Sequence, residues 1–90
     1  MTKIVGSLQK EIEQGEASDA AGKAHGEMPT SILQGHAVKL AEAKAVLAQV
    51  LLTVDSKSGQ VQQLASAASA INKELAATTA KIESALELLS

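Results

Sequence analysis

Between Val61 and Leu89 an apolar residue recurs at alternating steps of three and four. Little other than a long helix with one sticky edge satisfies that spacing. The series is Val61, Leu64, Ala68, Ile71, Leu75, Thr78, Ile82, Ala85 and Leu89, with Thr78 its one polar member. Such heptads define a seam for coiled-coil-like packing. A second series, Leu33, Ala37, Leu40, Lys44, Leu47, Leu51 and Val54, lies upstream, and DSKSG at 55–59 supplies turn residues between the two. Folded back across that turn, Val54 meets Val61, Leu47 meets Ala68 and Leu33 meets Ile82, each pair of numbers summing to 115. A constant sum is what an antiparallel hairpin closed by a short loop requires. Lys44, set opposite Ile71, is the discordant member. Its stem can lie along the seam while the ammonium reaches water.

The fold class that follows is all-α: a long antiparallel, coiled-coil-like helical hairpin plus a short N-terminal helix, assembled into a homo-oligomeric bundle. Residues 1–14 form the short helix, with Ile4, Leu8 and Ile12 on one face. Residues 15–30 read as a Gly-rich linker, punctuated by Gly15, Gly22, Gly26 and Pro29. Residues 31–90 form the hairpin, with helices over about 31–54 and 60–89. Ser31 and Gln34 fit a capping box at its start. The first helix is the natural cover for Leu86, Leu88 and Leu89 at the far end of the last one, in its own chain or in a neighbour.

Composition narrows the function classes. The chain has no tryptophan, tyrosine, phenylalanine or cysteine, and its net charge is −2. Disulfides and thiolate metal sites are therefore excluded. All eight basic residues are lysine, so neither guanidinium forks nor stacking rings are on hand for a nucleic-acid polymer. No HExxH, GxSxG, GxGxxG or P-loop pattern occurs. The reading is a non-enzyme with no catalytic residue, no metal and no cofactor. The longest nearly uninterrupted apolar run, AVLAQVLLTV at 45–54, is too short for the ~20 residues of a membrane span. The N-terminus lacks a signal peptide's apolar stretch. A cytoplasmic protein is expected, with signal-independent export as the other route.

A core without aromatic residues is a weak one, and association is its simplest remedy. The residues outside the seams agree. Stretches 45–54 and 58–72 carry no charge. Val38, Ala41, Ala45, Ala48 and Leu52 make a second heptad stripe, Val46 and Val50 point in a third direction, and Ala65 and Ala67 let backbones approach. These nine residues are the expected oligomer interface, so the expected partner is a second copy of the chain. Another protein or a small anionic ligand is the further partner class. For the ligand, Lys23, His25, His36 and Lys39 flank the start of the second helix, whose N-terminal dipole favours an anion.

Two alternative functions follow. One is a small phage-type oligomer that sequesters a nucleotide signal. The other is a polymerising or secreted helical-hairpin subunit. Length and hairpin shape suit type III secretion needle subunits or WXG-type proteins, but the chain has no tryptophan and no proline-bounded turn between its helices.

Overall fold

The computed structural model describes residues 2–53 and 60–89. The expected turn at 55–59 and the Val54–Val61 pairing lie outside the described residues. Within them are α1 (Thr2–His25), α2 (Thr30–Thr53) and α3 (Gln60–Leu89). Each helix packs against the other two, in a rod of 49 × 19 × 16 Å. Cross-helix contacts set the directions. His36 meets Thr79 while Lys39 meets Glu74, so α2 and α3 run oppositely. Ser7 meets Asn72 while Ser18 meets Glu83, so α1 and α3 run the same way.

The largest departure from the sequence reading is α1, which does not stop at residue 14. It continues through the expected linker to His25. The glycines taken as breakers are packing residues. Gly15 and Gly22 are buried and fall on one heptad line with Val5, Leu8, Ile12 and Asp19. A Cβ on Gly15 would stand 3.0 Å from Leu40 Cδ2, and one on Gly22 would stand 2.9 Å from Leu33 Cδ2. A mid-helix glycine costs about 1 kcal/mol relative to alanine. Here that cost is offset by letting α1 lie close against α2. The helix ends where Gly26, with φ at 82°, takes the left-handed conformation that a C′ position favours. Lys23 and His25 in the last turn suit the negative end of the dipole. The Pro29 carbonyl then accepts from the N–H groups of Ile32 and Leu33, so α2 begins one residue before Ser31.

The core is aliphatic. Leu8, Ile12, Leu40, Ala43, Val50, Ala68, Ile71 and Leu75 form one buried cluster, with Ile4, Val5, Val46, Leu47 and Leu64 packed on it. In α3 the buried Ala68, Ile71, Leu75 and Ile82 are members of the heptad series. In α2 the core line is rotated from the expected one. It runs Leu33, His36, Leu40, Ala43, Leu47, Val50, sharing every second member with the expected series, while Ala37, Lys44 and Leu51 are exposed. Lys44 is thus outside the seam, and its Nζ donates to Glu16 at 3.0 Å. Because α1 is parallel to α3, Leu8 and Ile12 join Leu75 and Ile71 rather than covering the far end of α3, where Leu88 stays 88% exposed. Met28, buried near Gly22 and Ile82, packs the end of the bundle beside the α1–α2 connection.

Candidate functional site: an uncovered apolar stripe and a buried polar layer

The outer line of a surface helix is normally its charged line. In α2 it is Gln34, Val38, Ala41, Ala45, Ala48 and Leu52, opposite the core residues His36, Ala43 and Val50. All six are exposed, Val38 at 53% and Leu52 at 84%. Five of the nine expected interface residues therefore share one uncovered stripe. Ala67 is also exposed, across on α3, and Ala65 is half-buried. Val46 is half-buried against the core. Val50 is a correction: it is fully buried within the chain, because the core line of α2 passes through it rather than through Leu51.

Beside the stripe, a groove of ≈ 430 Å³ separates the outer sides of α2 and α3. Ala45 and Val46 form part of one wall, and Ala67, Ala70 and Ile71 part of the other. Glu42 and Glu74 close one end, about half-exposed. Both reach Lys39, whose Nζ donates to Glu74 at 2.9 Å and to Glu42 at 3.4 Å. The Glu74 hydrogen bond, helped by Glu42, raises the Lys39 pKa and keeps the ammonium charged.

The four residues expected to bind an anion are placed as follows. Lys23 donates to Asp19 at 3.1 Å and is otherwise exposed, and Lys39 sits on its two carboxylates. His25, at the end of α1, is half-buried, with a buried Nδ1 that has no hydrogen-bond partner. His36 is wholly buried and backs a ≈ 230 Å³ cleft that Ser31, Thr78 and Lys81 also line. Lys23 and His36 do converge, but on the Asp19 carboxylate, which occupies the place an anion would take. Lys39 and His25 do not join them. Among the described residues, no three His, Cys, Asp or Glu side chains are grouped to hold a metal ion. No described helix is long and apolar enough to cross a membrane.

His36 belongs to a feature the sequence reading missed, a polar layer with one residue from each helix. Its Nε2 lies 3.0 Å from Thr79 Oγ1, and its Nδ1 lies 3.7 Å from Asp19 Oδ1. The second distance is too long for a hydrogen bond, but the carboxylate still favours the proton on Nδ1. Nε2 is then free to accept from the Thr79 hydroxyl. Both residues are nearly or wholly inaccessible to water, so this layer fixes helix register rather than meeting a substrate. The α1 heptad line running through Asp19 was the sequence signal for it. Set against known proteins, the chain finds no counterpart: no family model, curated protein or solved structure matches it.

Proposed function

We propose that this chain is a non-enzymatic helical protein that self-associates through the outer face of α2 and acts through the resulting assembly or the partner it binds. One observation carries the reading: the outermost line of α2 holds no charge and leaves Val38 and Leu52 mostly in solvent. Water disfavours that surface by about 25 cal/mol per Å² of apolar area, and contiguous exposed apolar patches mark interaction surfaces. The alanines between Val38 and Leu52 favour a helix as the occupant, because small side chains let two helices approach closely at no cost in side-chain entropy. In this reading α2 and α3 form the coiled-coil-like hairpin, along the rotated α2 line through His36, Ala43 and Val50.

Size-exclusion chromatography with light scattering tests it. Detection has to use refractive index, because the chain has no tryptophan or tyrosine to absorb near 280 nm. The expected mass is a multiple of 9.2 kDa. Ala48→Glu should return the particle to one chain without loss of helicity, since it buries a carboxylate in the contact but touches no core residue. A parent chain that is monomeric up to high micromolar concentration refutes the reading. So does an Ala48→Glu variant that keeps the parent mass.

A further inference from the structure

We infer that the occupant of the α2–α3 groove is α2 of a second copy, docked antiparallel about a two-fold axis at Ala45. The inference rests on the self-association reading and specifies its geometry. The first observation is that the stripe nearly mirrors itself about Ala45. Val38 and Leu52 lie seven residues to either side, and Ala41 and Ala48 lie four and three residues away. An antiparallel partner therefore sets Val38 beside Leu52 of the second copy and alanine beside alanine between them. The second observation is that the groove sits at the same height, with Ala45 and Val46 on one wall and Ala70 on the other. A two-fold contact requires the part that inserts and the part that receives to share one level. A head-to-tail contact would need them at different levels.

Charge selects the direction. Glu42 and Glu74 close one end of the groove, and the opposite end is uncharged. An antiparallel partner brings Ala48 and Gln49 of the second copy to Glu42. A parallel partner would bring its Glu42 and Glu74 against their own counterparts, and like charges in a contact are disfavoured.

Area selects the depth. Residues 38–52 span about 21 Å of a helix about 11 Å wide, so one helix-on-helix seam covers only about 460 Å² over both copies. That is well below the roughly 1,200 Å² of a stable interface. Seating each α2 in the other copy's groove adds two α2–α3 seams and brings the total to about 1,400 Å², inside the stable range. The contact is thus a groove-filling one rather than an edge-on touch of two helices.

The chain has no cysteine, so cross-linking can read the register directly. Ala45→Cys, Val38→Cys and Leu52→Cys all alter exposed positions and should leave the helical spectrum unchanged. Under mild oxidation Ala45→Cys should give a covalent dimer. Val38→Cys mixed with Leu52→Cys should cross-link to each other at least about tenfold faster than either alone, because like positions lie about 21 Å apart while a disulfide needs Cα atoms within about 7 Å. Val38→Cys cross-linking to itself would overturn the antiparallel arrangement. Light scattering that shows an oligomer in which none of the three cross-links would overturn the docking site while leaving self-association intact. A monomer by light scattering would overturn both.

Discussion

Leu75→Ala should remove roughly half of the folding free energy of this protein. Leu75 is fully buried on α3 and belongs to the cluster that holds Leu8 and Ile12 of α1 with Leu40 and Ala43 of α2. It thus sits where all three helices meet. Truncating a buried leucine costs the lost transfer free energy plus a cavity term, about 3–5 kcal/mol at a site that cannot collapse. Three helices already in contact leave little room for collapse. A chain of 90 residues is stabilised by roughly 5–13 kcal/mol at the usual rate per residue, and one without aromatic side chains belongs near the lower end. Urea unfolding followed by circular dichroism at 222 nm measures the effect, with a midpoint lowered by about 2 M or more at an ordinary m-value. Leu75→Met, which conserves volume, should cost less than about 1.5 kcal/mol. A Leu75→Ala midpoint within a few tenths molar of the parent would mean that α3 does not face the other two helices along this line.

The second large effect is expected from Gly15→Leu. A Cβ at this position would already stand 3.0 Å from Leu40 Cδ2, 3.3 Å from His36 Nε2 and 3.4 Å from Thr79 Oγ1. The first of these is the end of a flexible side chain, so Gly15→Ala should be close to neutral once its gain of about 1 kcal/mol in helix propensity is counted. Leucine adds three more carbons with nowhere to go. Overpacking costs about 1–3 kcal/mol, and parting His36 from Thr79 strands a buried polar group at a similar further cost. A net loss of about 3 kcal/mol lowers the melting temperature by roughly 12–24 °C in a domain of this size. Gly6→Ala is the control, because a Cβ there meets nothing within 4 Å and should stabilise by about 0.5–1 kcal/mol. Were residues 15–25 a linker, both substitutions would be nearly silent, so the contrast between them tests the path of α1.

That contrast also marks what was legible in the sequence. The α3 line was legible because one apolar residue in each half-heptad faced no competitor, and Ala68, Ile71, Leu75 and Ile82 are buried accordingly. In α2 two lines competed. Leu33, Leu40 and Leu47 belong to both, and the alternate positions offered Ala37, Lys44 and Leu51 against His36, Ala43 and Val50. Leu51 is larger than Val50, and histidine is a poor candidate for an interior position, so hydrophobicity favoured the wrong set. The correct set depends on Asp19 and Thr79 arriving from the other two helices to receive the imidazole, which no local pattern encodes. Gly15 and Gly22 were read through their helix propensity, which is unfavourable. Their benefit, the close approach of a second helix, is a tertiary quantity. The exposed stripe from Val38 to Leu52 was the most legible part of the candidate site, since it needed only the spacing and the missing charges.

The glycines that let α1 lie so close also decide where the bundle is weakest. Beyond Ile12 the inner line of α1 consists of Gly15, Asp19 and Gly22, which hide almost no hydrocarbon. Its first half is anchored by Leu8 and Ile12 and its second half mainly by shape. The segment from Gly15 to His25 is therefore the part of the molecule with the shallowest free-energy well, a subglobal unit able to fray while α2 and α3 hold together. Each fraying event would wet the imidazole of His36, so its backbone amides and that ring report on the same motion.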